Sequence, residues 1–357
     1  MRLSSGDPFP HLRGQTPSGF LMMNYMPGRY IVLAFLPASA PPAEIREAMA
    51  QLAANEALFD DSHCCFFGVL RHPELLESAA NSLPGIRWFL DPDGDLFQEA
   101  GMSSEGCGDE GGWFILDPSL RIMKTAALSQ SAEIMRWVGE LPSVDDHAGT
   151  RIHAPVLIVP RVIEPELCAR LIAMHRDGQT IEGGLIDQTD GTMSAPFIDK
   201  NYRSTRQISL TDPDLKARVE ARIRRRLAPE VFRALRYQVR DIDSYIVTAY
   251  DAAEAGRFRV HRDNLPPLHH RQFTFAINLN AEDYEGGDLR FPEYGTATYR
   301  PPTGGAIVFA SSLLHEVTLL TKGRRYVMLA FFVDRPARGP GGEDRERGLE
   351  AAMEVHG

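Results

Sequence analysis

Thiol chemistry has little to work with in this chain. Its four cysteines, Cys64, Cys65, Cys107 and Cys168, form no CxxC pair and no zinc-ligand spacing. Such usage points to a reducing cytoplasm. Cys64 and Cys65 sit side by side in the apolar run HCCFFGVL, where Cys serves as a small hydrophobe. Long apolar runs are missing too. None approaches the roughly 20 residues of a membrane helix, and the N-terminus MRLSSGDPFPHLRG has no apolar signal core. Neither a membrane partner nor export is expected. Positive charge is in deficit: a net charge of −10 argues against nucleic acid as a main partner. No internal repeat is visible.

What is present is the composition of a globular protein, 43% hydrophobic and 24% charged, on a chain of 357 residues with room for two domains. Residues 1–145 alternate strand and helix signals. RYIVLAFL and HCCFFGVL read as buried strands. Between them PPAEIREAMAQLAANEALF reads as a helix with Pro near its start. IRWFL follows, GGWFILD pairs with LRIMKTAAL across DPS, and AEIMRWVGEL closes the half as an amphipathic helix. The alternation predicts a three-layer α/β domain. The turn Asp91-Pro92-Asp93-Gly94-Asp95 has the look of a calcium loop, but Met102 stands where the twelfth-position Glu belongs. A solvated turn is expected instead.

The motifs GDPFPHL, GRYIVLAFLP and FLDPDGDLFQEAG give this half a resemblance to thioredoxin-fold proteins of the peroxiredoxin type. A peroxiredoxin places a reactive Cys shortly after the FLP strand. Here Phe35-Leu36-Pro37 runs on through Ala38, Ser39, Ala40, Pro41, Pro42 and Ala43 to Glu44, with no Cys. The resemblance therefore implies a redox-inactive module for stability, docking or homodimer contact. A thiol peroxidase is opposed by the same gap.

The polar stretch SVDDHAGTR (143–151) marks the boundary, and residues 150–336 are the second domain. APVLIVPRVI reads as a strand and EPELCARLIAMHRDG as a helix. DPDLKARVEARIRRRLAPEVFRAL reads as one or two helices with a basic face, capped by Asp212. From SYIVTAY onward short strands alternate with Gly and Pro, the pattern of a sandwich or jelly roll in an α+β domain. In RQFTFAINLN the odd positions Phe273, Phe275, Ile277 and Leu279 are apolar. Gln272, Thr274, Ala276, Asn278 and Asn280 face the other way, toward a wetter cavity. Residues 337–357 form a Gly-rich, charged tail.

Chemistry concentrates in this half. His261 and Asp263 are two apart and share a face if one strand runs through both, and His315 follows 315 − 261 = 54 positions later. Two imidazoles and one carboxylate hold Fe(II) on one side and leave three of its six positions open. A structural zinc site would be closed by four protein ligands. Beyond His315 come Arg324 and Arg325, adjacent and so facing opposite ways. Two readings of the basic set Arg257, Arg259, Arg262, Arg271, His269 and His270 stay open: steering of an anionic substrate, or charges facing solvent.

HRDN (261–264), EGGDLRFP (285–292), PPTGGAIVF (301–309), LLHEV (313–317) and GRRY (323–326) resemble, in order and spacing, the prolyl 4-hydroxylase type of Fe(II)/2-oxoglutarate-dependent dioxygenases. The resemblance covers roughly residues 150–335 and implies a double-stranded β-helix. It implies that His261, Asp263 and His315 bind Fe(II), and that Arg325, rather than Arg324, pairs with the distal carboxylate of 2-oxoglutarate. Tyr250, Asn278 and Thr274 become candidate co-substrate contacts, Thr274 being a packing residue on the other reading. Relatives often carry a Tyr at the Asn278 position. The implied cofactors are Fe(II), 2-oxoglutarate, O2 and, as a further candidate, ascorbate. The implied reaction hydroxylates an amino-acid side chain in a peptide, a protein or a small metabolite, with release of succinate and CO2. The competing reading is a scaffold or sensor module that binds metal without turnover.

Overall fold

In the computed structural model, which describes residues 3–71, 75, 79–104, 108–184, 198–265 and 268–334, the two most apolar runs lie side by side as buried strands. The chain divides into two units: Met1–Ala154 with Phe291–Ala297, and the rest. The division at Ala154 falls a few residues past the polar stretch 143–151. Cys107 and the tail beyond residue 334 lie outside the described residues.

The first unit has strands β1 (Arg13–Thr16), β2 (Gly19–Met22), β3 (Tyr30–Leu36), β4 (Cys64–Leu70) and β5 (Ile86–Leu90). A two-residue pair, β6 (Ser103–Ser104) and β7 (Gly108–Asp109), precedes β8 (Gly112–Leu116) and β9 (Ile122–Ala126). Its main sheet runs β2-β1-β5-β4-β3-β8-β9. β3, β4 and β5 are parallel, and β8 and β9 join antiparallel. Period-2 alternation divides the buried strands between two cores. Ile31, Leu33, Phe35, Cys65 and Phe67 pack on one face. Tyr30, Val32, Ala34, Cys64 and Phe66 pack on the other, under helices α1 (Pro42–Ala54) and α3 (Ser131–Gly139). The two adjacent thiols thus serve opposite cores, and burial pushes Cys65 up to about 12. Both are inert as nucleophiles at neutral pH.

The turn after β5 exposes Pro92, Asp93 and Asp95 as expected, and corrects the expectation at Asp91. Asp91 is 4% exposed, not solvated. Its carboxylate accepts hydrogen bonds from the backbone N–H groups of Leu96 and Phe97, at 3.2 and 3.1 Å, in the short helix α2 (Asp95–Glu99). The acidic turn is a helix cap, satisfying N–H groups that a helix start leaves open.

The second unit begins with β10 (Leu157–Val159) and α4 (Pro165–Asp177). Next come β11 (Ile181–Glu182), β12 (Arg203–Ser204), β13 (Arg206–Ser209) and α5 (Pro213–Arg222), then α6 (Ala228–Leu235). Asp212 caps α5 by accepting from the N–H groups of Asp214 and Leu215. The strand region follows: β14 (Asp241–Asp251), β15 (Arg257–His261), β16 (Arg271–Asn278), β17 (Tyr284–Gly286), β18 (Leu289–Arg290), β19 (Thr298–Tyr299), β20 (Ala306–Ala310), β21 (His315–Val317) and β22 (Leu320–Val333).

These strands form a large sheet, β10-β20-β16-β22-β14-β13-β11, and a small one, β12-β15-β21-β18-β19. From β14 onward the chain passes back and forth between the sheets, which is a double-stranded β-helix. One face of the large sheet carries Phe275, Ile277, Met328, Ala330 and Phe332. It packs on Leu167, Leu171, Leu215, Val219 and Val231 of the helices. The alternate residues, among them Thr274, Asn278 and Arg325, are turned away from that core. Among the described residues no helix is long and apolar enough to cross a membrane.

Candidate metal centre

β15 and β21 are antiparallel neighbours, with His261 opposite His315 in register. Asp263 follows β15, and its backbone N–H donates to Ser311 O at 2.9 Å, at the end of β20. Three strand ends thereby bring the three side chains into one cluster. Asp263 Oδ1 lies 3.6 Å from His261 Nε2, and Oδ2 lies 3.4 Å from His315 Nε2. One ligand atom from each falls within 4.8 Å of the others.

The ring orientations are set locally. His261 Nδ1 lies 2.7 Å from Arg259 O and His315 Nδ1 lies 2.9 Å from Leu313 O. A carbonyl oxygen can only accept, so each Nδ1 carries the proton and each Nε2 offers its lone pair to the centre. Phe258 stacks on His261 at 3.5 Å between centroids, and Phe309 meets His315 edge-on at 4.7 Å. Both rings are fixed by aromatic neighbours as well as by hydrogen bonds.

The electrostatics favour a cation. Burial, then the neighbouring His315, pushes His261 down to about 3, so its imidazole is neutral at ordinary pH. Burial works against the Asp263 carboxylate, but His315 and His261 outweigh it and hold Asp263 well below the usual range. Two imidazoles and one carboxylate in a desolvated pocket suit a divalent metal with open positions.

Thr274 has a more specific place than cavity packing. Its hydroxyl donates to Asp263 Oδ2 at 2.7 Å and lies 3.0 Å from Ser311 Oγ. It orients a metal ligand. Asn278 faces the cavity, but its Nδ2 donates to Pro301 O at 2.7 Å and its Oδ1 lies 3.5 Å from Arg325 Nη2. It braces Arg325 and the PPTGG turn.

Arg324 and Arg325 part as alternation requires. Arg324 points outward onto Asp251, with Nε at 2.8 Å from the carboxylate. Arg325 is 3% exposed, 5.3 Å over the ring of buried Tyr250. Its Nη1 donates to Gly287 O at 2.7 Å. Gly287 has φ +64, and a Cβ there would stand 2.7 Å from Leu320 Cδ1, so a glycine is needed to present that carbonyl.

The remaining basic set is divided. Arg259 Nε donates to Asn201 O, Arg262 donates to Ser312 O, and His270 Nε2 lies 3.8 Å from Asp243. Arg271 turns inward, stacked 3.6 Å from the Phe331 centroid, with Asp263 and Asp243 the carboxylates acting on it. Sequence reasoning passed over Arg203. It lies half-buried over Phe258 at 4.5 Å, and Tyr250 and Asp263 are the acidic groups acting on it. No motif marks it, because its cavity position comes from the pairing of β12 with β15.

Known proteins resemble this chain over part of its length. Residues 245–333 match the family model described as the 2OG-Fe(II) oxygenase superfamily. A PKHD-type hydroxylase of Picosynechococcus sp. is 25% identical over 177 residues, spanning 48% of this chain and 75% of that protein. Procollagen-lysine,2-oxoglutarate 5-dioxygenase 1 of Rattus norvegicus is 36% identical over 95 residues, spanning 24% of this chain and 13% of that protein. A Pseudomonas putida prolyl-4-hydroxylase structure covers 54% of this chain and 97% of its own at 18% identity, with a TM-score of 0.40. The His261–Asp263–His315 cluster lies within the matched residues. The chain therefore carries a 2OG-Fe(II) oxygenase domain and is a dioxygenase that uses Fe(II), 2-oxoglutarate and O2.

Proposed function

We propose that this dioxygenase hydroxylates an amino-acid side chain, of prolyl type or similar, in a peptide, a protein or a small metabolite. The observation that carries the reading is a three-ligand face and a buried guanidinium, Arg325, with Asp263 and Arg325 both acting on buried Tyr250. When bound there, Fe(II) supplies O2 activation coupled to oxidative decarboxylation of 2-oxoglutarate. The protein's part is positional. His261, Asp263 and His315 hold the ion on one side, and Thr274 and Ser311 fix the Asp263 carboxylate. Arg325 pairs with the distal carboxylate of the co-substrate, for which a guanidinium fork is shaped. Tyr250 lies under that guanidinium and lines the co-substrate's path. Arg271 and Arg203 leave the cavity cationic, which suits anionic groups entering it.

The name of one relative, procollagen-lysine,2-oxoglutarate 5-dioxygenase 1, supports an amino-acid substrate. The test is succinate formation from 2-oxoglutarate with Fe(II), with and without ascorbate, in the presence of proline- and lysine-containing peptides and the free amino acids. Gain of one oxygen atom in a peptide or amino acid supports the reading. Stimulation by none of them, with turnover on another substrate class, overturns it.

For the first unit we propose a thioredoxin-like module of peroxiredoxin type that has lost its redox role and serves docking or homodimer contact. The strand order β5-β4-β3-β8-β9, with three parallel strands and two antiparallel ones, supports it. The segment after β3 offers Ser39, bonded to Asp109 O, where a thiol would act. We place the whole protein in the cytoplasm with no nucleic-acid or membrane partner. Peroxide consumption by the purified chain would contradict the redox-inactive reading, and sedimentation as a monomer would contradict the dimer.

A further inference from the structure

Two buried polar groups sit side by side with hydrogen-bonding capacity unused. The first is Arg325. One amino group donates to Gly287 O, the other is 3.5 Å from Asn278 Oδ1, and its Nε is buried without a partner. Among the described residues no carboxylate lies within salt-bridge distance of it. A buried guanidinium in that condition is strongly unfavourable unless an anion meets it. The second is Tyr284 on β17, 4% exposed, with its hydroxyl buried, making no hydrogen bond of ordinary geometry and having the Asn278 amide as its polar neighbour. Arg325 is the charge that acts on it most, followed by Arg300 and Asp288.

Tyr284 is held rigidly. Arg300 stacks 4.4 Å over its ring, donates to Tyr284 O at 2.8 Å and Gly286 O at 3.0 Å, and is itself anchored on Asp288. A ring needed only to fill space would be served by Phe, with no hydroxyl to desolvate. Asn278 is the neighbouring amide: one N–H of its Nδ2 donates to Pro301 O, and an N–H directed at Tyr284 would meet the phenol oxygen as an acceptor and leave its O–H free to donate. Burial raises the Tyr284 phenol, so it keeps its proton and can donate.

We propose that the Tyr284 hydroxyl donates to the distal carboxylate of 2-oxoglutarate, alongside Arg325. This rests on the reading of Arg325 as the co-substrate anchor. A carboxylate has two oxygens and about four acceptor sites, enough for a guanidinium and a phenol together. β22 and β17 are hydrogen-bonded neighbours, so the two donors come from adjacent strands of one ladder.

The experiment is calorimetric titration of the full-length, Mn(II)-loaded protein, which needs no turnover. Wild type, Tyr284→Phe and Arg325→Gln are each titrated with 2-oxoglutarate and with 2-oxovalerate, which lacks the distal carboxylate. The expected result for Tyr284→Phe is about 10- to 100-fold weaker 2-oxoglutarate binding, the range for a lost hydrogen bond to a charged group, with 2-oxovalerate unchanged. If Tyr284→Phe binds 2-oxoglutarate within twofold of wild type while Arg325→Gln does not, the inference is wrong and the Arg325 reading stands. If neither variant weakens binding, both fall. Equal losses for the two ligands in Tyr284→Phe make the residue structural only and overturn the inference.

Discussion

Thr274→Val is the sharpest probe of how the metal centre is held. The substitution keeps the shape and removes one hydroxyl, 1% exposed and 2.7 Å from Asp263 Oδ2. That hydrogen bond is to an ionised acceptor in a buried setting, the stronger class, worth about 1.5–3 kcal/mol. Ser311 Oγ is 3.0 Å from the same hydroxyl and would lose its partner as well. Losing an outer partner of a metal ligand weakens metal binding by about 10- to 100-fold. The expected outcome is a Mn(II) dissociation constant raised by that factor, measured by chelator competition, with Thr274→Ser close to wild type. A Thr274→Val variant that binds Mn(II) within twofold of wild type would refute the reasoning. So would a Thr274→Ser variant as weak as Thr274→Val, because the hydroxyl would then be irrelevant.

Two further outcomes follow from the geometry. Gly287→Ala places a Cβ 2.7 Å from Leu320 Cδ1 at φ +64. It should lower stability by about 1–3 kcal/mol, read as a lower urea midpoint, and weaken 2-oxoglutarate binding by shifting the carbonyl that holds Arg325. In the first unit, Asp61 accepts from Arg87 at 2.8 and 2.6 Å, and Arg29 lies 3.5 Å away. Burial alone would raise its carboxyl, but Arg87 and Arg29 lower it. A depressed folded pKa contributes stability above the unfolded value, near 4, and loses it as pH falls through the folded one. Wild type should therefore exceed Asp61→Asn in urea midpoint at pH 7, and the gap should close on acidification. Asn tolerates the left-handed backbone found there (φ 63), so a gap constant with pH would contradict the ion-pair account.

The sequence carried the parts of the site that depend on period and motif. His261 and Asp263 are two apart, and strand alternation alone separates Arg324 from Arg325, one on Asp251 and the other buried. The alternation in RQFTFAINLN likewise assigned Phe275 and Ile277 to the core and Thr274 and Asn278 to the other face. What the alternation could not give was a partner for each inward residue. Thr274 meets Asp263 across 11 positions, and Arg203 reaches the cavity through strand pairing, neither of which local pattern encodes. Pro92, Asp93 and Asp95 are exposed as a solvated turn requires, and Asp91 alone departs because an acidic turn and a buried helix cap have the same composition. They differ only in where α2 begins. Tyr284 was invisible for a similar reason: a lone aromatic in a turn-rich segment reads as packing until the groups around its hydroxyl are known.

The most direct test of the central claim is release of CO2 from 1-labelled 2-oxoglutarate by the purified full-length chain. The account predicts release that requires Fe(II) and O2, and that disappears in Asp263→Ala, because the cluster then loses its only carboxylate. Release undiminished in Asp263→Ala, or none from Fe(II)-loaded wild type with any amino-acid or peptide substrate, would contradict it.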